Sequence, residues 1–454
     1  MMDQFFLSKC DELTTLSSEI EIKRTLFYNS FDDYKDNLLK FLFLEIKKTL
    51  DNCNKSSIGR ITNLIKVYNL DETVDPNNLI LEYELNQNDK LHEMDLIYIN
   101  QSYVFISELI NNQKCSVQLT NMNHTIEINN SIYFVCNYKK YYRMYQSIIN
   151  SNRTLLRNLF MPNQKLTRLN KSKLKSDFWN QEQRDVLASV IKPTENKKIH
   201  VIDGLKNTGK STLIMGLIQN YLSRFNNIKL LITSSNKKLL THLANRIISQ
   251  KTILIPQNKW IMIVGDINYV DKSLHHFLIS SYVDKYMKVL QYIQTKLQQL
   301  ESDNIDNTPI VIDIINKLDE LPFEPYSHRK TTISELLQEV DHDKEKLHDI
   351  ILQCQLIIDK WLNHNYINNR LLNACSIVIS TICSSGCPSM DIYKNNIIMI
   401  DDAEQASELE TLIPLQDSTE QILLFGNSSK IQKNTLFQRM IHGGISVHKL
   451  IQSF

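Results

Sequence analysis

Glycine is scarce in this chain, nine residues in 454, against a usual share of about 7%. So few glycines leave little room for glycine spacings that arise by chance. Long apolar runs are missing too. No stretch reaches the roughly 18 apolar residues of a membrane-spanning helix, so no membrane partner is expected. The opening segment, MMDQFFLSKCDELTT, is acidic, and its apolar part is too short for a secretory signal. The eight cysteines, at 10, 53, 115, 136, 354, 375, 383 and 387, keep no disulfide rhythm. Cys383 and Cys387 are close, yet no second Cys or His pair stands at zinc spacing. Reduced thiols in a nuclear or cytosolic protein, not a secreted one, are the expectation. Neither sign of charge is in excess: 51 Lys and Arg against 50 Asp and Glu give a net +1. A case for nucleic-acid binding must therefore rest on local patches.

A hydrophobic share of 42% and a charged share of 22% suit folded domains with sizeable cores, and the length suits two to four of them. Residues 1–60 read as a helical segment, with Tyr34, Leu38, Leu39, Leu42, Ile46 and Leu50 in a 3.6-residue stripe. Residues 61–137 change to short β-like runs at 79–81, 95–99, 103–106, 116–119, 126–128 and 132–135. Asn-rich turns separate them, which predicts a small antiparallel barrel. Helical spacing returns at 138–160, and residues 138–170 are expected to form a helix and connector. The Tyr cluster at 138–145 reads as a packing face rather than a base-stacking platform. The basic stretch KLTRLNKSKLK at 165–175 reads as a solvated connector, with a nucleic-acid backbone contact or a nuclear-import signal as the alternative.

From 171 to 454 short apolar runs alternate with helical patterns, the logic of a parallel α/β sheet with helices on both faces. The alternation stops between about 272 and 365. There, two long amphipathic helical patterns (273–301 and 331–363) flank a Pro-containing loop at 304–330, which predicts a helical insertion.

The segment 197–212, KKIHVIDGLKNTGKST, holds two of the nine glycines at the spacing of a phosphate-binding loop. An apolar run (199–202), then Gly204 to Ser211, then a helical pattern give the strand, loop and helix order that the motif requires. Backbone N–H groups around Thr208, Gly209 and Thr212 and the helix N-terminus cradle phosphate oxygens. Lys210 reaches the β/γ-phosphates and Ser211 can ligate Mg²⁺. Asn207 stands where such loops favour another glycine, and Asn tolerates the left-handed backbone needed there. A second apolar run, 396–400, ends in Asp401-Asp402-Ala403-Glu404-Gln405. Asp401 is the candidate to hold Mg²⁺ through water, and Asp402 to orient an attacking water. ATP and Mg²⁺ are the expected ligands.

Taken in order, these motifs resemble superfamily-one helicases of the senataxin and nonsense-decay type. Phe178-Trp179-Asn180-Gln181-Glu182-Gln183 looks like the adenine-reading segment, with Gln183 at the base edge. Thr233-Ser234-Ser235-Asn236 and the strand ending in Ser380-Thr381 are similar to the family's nucleic-acid contact segments. The resemblance therefore implies that Ser235, Asn236 and Thr381 touch the backbone of single-stranded RNA or DNA. Asp401–Gln405, followed by Glu410-Thr-Leu-Ile-Pro414-Leu415, looks like Asp-Glu-Ala-x-Gln and its downstream Ile-Pro-Leu. The resemblance gives Gln405 to the nucleotide. Gly426-Asn-Ser-Ser-Lys430 sits where the family has Gly-Asp-x-x-Gln. Upstream, Phe31-Asp-Asp-Tyr34 to Glu45 resembles a stalk helix, and Tyr141-Tyr142-Arg143-Met-Tyr145 the family's Arg-Glu-Tyr stalk motif. The implied fold is a RecA-like P-loop domain with an accessory barrel and a helical prong.

Three departures bear on activity. Asp402 replaces a Glu and is one methylene shorter, and a misplacement of about 1 Å can cost on the order of 10²-fold in rate. Asn427 and Lys430 replace an Asp and a Gln. The chain stops at Phe454, where family members continue into a second RecA-like domain that carries arginine fingers, worth roughly 10³–10⁵ in turnover. The expectation is an ATP-binding helicase motor with weak hydrolysis by itself, its second domain coming from a partner chain or from a longer transcript. The alternative is a non-hydrolysing module that binds nucleotide and RNA, or a protein partner through the helical insertion. Simpler roles also stand open: Gln183 as a surface helix residue, Ser235 and Asn236 as a helix cap, and Arg439 as structural.

Overall fold

The computed structural model describes residues 28, 30–52, 56–68, 74–87, 89–100, 102–119, 126–150, 179–191, 198–250, 259–302, 308–321, 333–338, 344–430, 435–445 and 447–451. The basic stretch at 165–175 and Phe178 lie outside them. The chain divides into two compact units. One is Met1–Lys165 with Ser407–Asp417 and Lys433–Ile445, and the other is Leu166–Ala406 with Ser418–Gln432 and Ser446–Phe454.

The first unit opens with helix α1 (Phe31–Asp51), capped by the Ser30 hydroxyl, which accepts from the Asp33 N–H at 3.0 Å. Its stripe of Tyr34, Leu38, Leu42 and Ile46 is buried, as the 3.6-residue spacing requires. Six antiparallel strands follow: β1 (Ser57–Tyr68), β2 (Val74–Leu85), β3 (Asp95–Ile99), β4 (Ser102–Asn111), β5 (Lys114–Leu119) and β6 (Ser131–Asn137). They close in the order β1-β2-β5-β4-β3-β6, which leaves no open edge. In β6 buried positions recur along the strand, so Ile132 enters a core shared with Ile61, Leu81, Ile97, Val104 and Val117. Two details differ from expectation. The first strand, Ser57–Tyr68, starts before the expected barrel boundary at 61 and has no counterpart among the expected runs, which begin at 79, and Ile126–Ile128 form no strand. The chain turns at Ile128 and Asn129, the latter left-handed at φ 72°.

Helix α2 (Lys139–Ile149) follows the barrel. Tyr138 meets Phe105 edge to face at 5.1 Å, and the Tyr141 hydroxyl shares a 2.6 Å hydrogen bond with that of Thr49. The Tyr cluster is thus a packing face.

In the second unit, helix α3 (Gln181–Val190) leads to a seven-stranded parallel sheet. In chain order come β7 (Lys198–Gly204), α4 (Lys210–Arg224), β8 (Leu230–Ser234), α5 (Lys237–Ser249) and β9 (Ile261–Val264). The helical insertion then supplies α6 (Ile279–Ser302), α7 (Thr308–Asp319), α8 (Ile333–Gln338), α9 (Lys344–Trp361) and α10 (His364–Ala374). Helix α7 falls inside the stretch expected to be a loop. Its proline, Pro309, is the second residue of the helix, where no intrahelical N–H bond is lost. The sheet resumes with β10 (Ile377–Thr381) and β11 (Ile397–Asp401). The short α11 (Glu408–Leu412) belongs to the first unit, β12 (Gln421–Gly426) to the second, α12 (Leu436–His442) to the first and β13 (Val447–Leu450) to the second.

The strand order is β13-β7-β12-β11-β8-β10-β9. Strands β8, β11 and β12 are buried at every position, which is why they read as continuous apolar runs rather than alternating ones.

Within the first unit, Arg439 of α12 is almost fully buried. Its Nε donates to both Glu408 oxygens at 3.0 Å, and the Tyr34 hydroxyl donates to Glu408 Oε1 at 2.6 Å. The guanidinium also lies 5.2 Å from the centre of the Tyr34 ring. Arg439 is structural, and leaving Glu408 buried without it costs roughly 3–5 kcal/mol.

Candidate functional site

Strand β7 delivers the chain to Gly204, and the loop closes tightly behind it. Thr208 is buried and donates to the Leu205 carbonyl at 2.9 Å. A Cβ on Gly204 would stand 2.5 Å from the Thr208 hydroxyl. Asn207 (φ 66°) and Gly209 (φ 81°) are both left-handed. Such residues interspersed with right-handed ones turn successive N–H groups toward one side, an anion-binding nest. Gly209 also caps α4, whose first-turn N–H groups and dipole favour negative charge. The Lys210 Nζ folds over this nest and donates to the carbonyls of Gly204 (2.6 Å) and Leu205 (2.9 Å). The Ser211 hydroxyl, one residue on, has no partner among the described residues.

The sheet register brings the remaining candidates to the same edge. Strands β12 and β11 lie between β7 and β8. Gly426 pairs with Asp203, Asp401 with Ser234, and Ser234 with Thr381. The phosphate loop, the Asp401-Asp402 pair and the candidate nucleic-acid contacts therefore all leave the carboxyl ends of neighbouring strands, where open α/β sheets bind ligands.

Asp401 is nearly buried. Burial first, and then the neighbouring Asp402, push its carboxyl up to about 7, against the pull of Lys210. Asp402 is also raised by burial, while Lys210 and Lys430 pull it down. A buried carboxylate that is hard to ionise, in the field of a lysine and accompanied by a free Ser211 hydroxyl, fits a hard divalent cation with oxygen ligands. Asp402 is itself left-handed at φ 53°, and its N–H donates to Asp401 Oδ1 at 3.2 Å. The turn closes with the Gln405 N–H on the Asp402 carbonyl at 2.9 Å, leaving the Gln405 side chain half-buried. Glu404 is buried, its carboxyl is raised by that burial, and one of its oxygens lacks a partner.

The segment expected to read adenine is held by packing. A Cβ on Gly216 of α4 would fall 2.3 Å from the Trp179 ring, so only glycine lets the indole lie against that helix. Asn180 and Gln183 form a reciprocal cap at the start of α3. Gln183 is fully buried, not a surface helix residue, and its Nε2 lies 3.5 Å from the Gly209 carbonyl. It is thereby placed beside the phosphate loop.

Residues 178–429 match the family described as an AAA domain. The chain belongs to this superfamily-one helicase family. It is also similar to a putative ATP-dependent RNA helicase, ECM32, of Saccharomyces cerevisiae. The two are 21% identical over 286 residues, which cover 61% of this chain and 21% of that protein. The chain thus spans about a fifth of the length of that curated relative. It carries a helicase-type ATP-binding motor domain.

Two parts of this helicase domain escaped the sequence reading. Asp203, the penultimate residue of β7, accepts from both the N–H (2.8 Å) and the hydroxyl (2.7 Å) of Ser428. It ties the turn after β12 to the phosphate-loop strand. In that turn the Asn427 side-chain oxygen accepts from Ser429 N and Oγ, at 3.0 and 2.7 Å. Arg246 of α5 donates to the Thr212 hydroxyl at 2.9 Å. Partners 225 and 34 residues apart leave no local signal in a sequence.

Two of the three candidate nucleic-acid contacts are committed locally. The Asn236 side chain caps α5, the use that Asn favours at such positions. The Thr381 hydroxyl donates to Ser384 Oγ at 2.9 Å. Ser235, just past the end of β8, is half-exposed with no hydrogen bond among the described residues.

Proposed function

We propose that this chain binds Mg·ATP at the carboxyl edge of the parallel sheet and hydrolyses it to act on single-stranded RNA or DNA. The observation that carries the reading is the placement of the Lys210 loop and the Asp401-Asp402 pair on strands separated only by β12. In this reading the nest from Gly204 to Thr212 holds the phosphates and Lys210 leaves its carbonyls for the β/γ-phosphates. Ser211 and Asp401 hold Mg²⁺, whose chemistry is to offset the phosphate charge. Asp402 orients the attacking water, and Gln183 with Gln405 flanks the nucleotide. Ser235, Asn236 and Thr381, all half-buried, offer the single strand a polar edge, with the Ser235 hydroxyl its freest side-chain group. Contacts of that kind read backbone rather than sequence and weaken with salt. A protein partner docks on the helical insertion or supplies a second RecA-like domain, and the compartment is the nucleus or the cytoplasm.

A second reading, a nucleotide-binding module that does not hydrolyse, is favoured by the short Asp402 side chain and by Lys430 in place of a neutral group. Both readings require nucleotide binding. Lys210→Ala is expected to abolish ATP binding, measured by calorimetry, with the unfolding midpoint unchanged. Unaltered affinity would remove the phosphate-loop assignment and both readings with it.

A further inference from the structure

The Thr212 hydroxyl is placed unlike those of three other helical threonines. Thr49, Thr295 and Thr411 each donate to the carbonyl four residues back, at 3.0, 3.0 and 2.9 Å. Thr212, third residue of α4, makes no such bond, and its Oγ1 instead accepts from Arg246 Nη2 at 2.9 Å. A guanidinium only donates. It occupies a lone pair of the hydroxyl and leaves the hydroxyl hydrogen free, and that hydrogen has no acceptor among the described residues. Arg246 is half-buried and forms no ion pair with a carboxylate among them. An uncompensated cation therefore sits one hydroxyl away from the first turn of α4, where the phosphate nest lies.

We infer that Arg246 is a positioning residue of the nucleotide site: it locks the Thr212 hydroxyl as a donor to the nucleotide's α-phosphate. The inference rests on the nucleotide site proposed above. Lys210 and Ser211 are committed to the β/γ end and its cation, so the α-phosphate is the acceptor left for the next residue of the helix. Arg246 touches no phosphate. It acts by holding one lone pair of Thr212, so that rotation of the hydroxyl cannot turn its hydrogen back onto its own helix.

The test is a double-mutant cycle on ADP affinity, with wild type, Arg246→Ala, Thr212→Val and the double variant. Each single change is expected to weaken ADP by about five- to tenfold. The double variant is expected to bind no more weakly than Thr212→Val, because coupled residues do not add. Arg246→Lys should recover part of the loss. Wild type should distinguish the two α-thio diastereomers of ADP more strongly than Arg246→Ala does, a readout that a purely structural role would not move. Should Arg246→Ala fail to fold, Thr212→Ser against Thr212→Val carries the test, with Ser retaining affinity and diastereomer preference and Val losing both. Wild-type affinity and diastereomer preference in Arg246→Ala, or losses that multiply in the double variant, would overturn the inference alone. No ADP binding by the wild type would overturn the nucleotide site itself and this inference with it.

Discussion

Asp402 carries two demands at once. Its backbone is left-handed at φ 53°, a conformation that Asp tolerates better than Glu because its short carboxyl bonds locally. The role proposed for it calls for reach, which Asp has less of. Asp402→Glu is therefore expected to raise ATP turnover, since it restores a methylene, while lowering stability by about 1 kcal/mol. Turnover and the unfolding midpoint, measured on the same sample, check both halves. Unchanged turnover would place the limit outside this carboxylate. At this scale the sequence was legible wherever function follows a local pattern. Gly204, Gly209, Lys210 and Ser211 sit within eight residues of one another, and the left-handed geometry of Asn207 and Gly209 is what that spacing demands. Asp203 and Arg246 were not legible, because their meaning lies in Ser428 and Thr212, which only folding brings near.

Among the elements, α4 does more than present Lys210. Its Gly216 leaves the space that the Trp179 indole fills, and Trp179 directly precedes the Asn180–Gln183 cap. Gly216→Ala adds a single methyl to a helix, a change that ordinarily stabilises by about 0.5–1 kcal/mol. Here it is expected to push Trp179 off the helix and to weaken ATP binding through displaced Gln183. Nucleotides without an adenine base should lose less. Tryptophan fluorescence and the ratio of ATP to GTP affinity would show it, and an unchanged ratio would argue against Gln183 as a base-reading group. The parallel strands were legible as apolar runs because both faces of the sheet are buried. Helix α7 was hidden by Pro309, which signals a loop in a helix interior but is at home in a first turn. The turn at Ile128-Asn129 shows the opposite error, since β-branched residues there suggested a strand that the left-handed Asn129 ends.

Across the whole molecule, the sheet and the closed barrel follow the two periodicities written in the chain, near-continuous apolar runs in one and alternation in the other. Less legible was the assignment of Ser407–Asp417 and Lys433–Ile445 to the unit that holds the barrel. The buried Arg439–Glu408–Tyr34 group accounts for it, joining residues that lie hundreds of positions apart. Membership in a superfamily-one helicase family, the nest and the carboxylate pair on nearby strands support the central proposal, that this chain turns over ATP in response to a nucleic-acid strand. Steady-state ATP turnover of the purified chain, with and without single-stranded RNA and against Lys210→Ala, tests it most directly. The account predicts turnover that rises with RNA, falls with added salt and disappears in Lys210→Ala. Turnover no higher than that of the variant, with RNA present, would contradict it and leave a nucleotide-binding module in place of a motor.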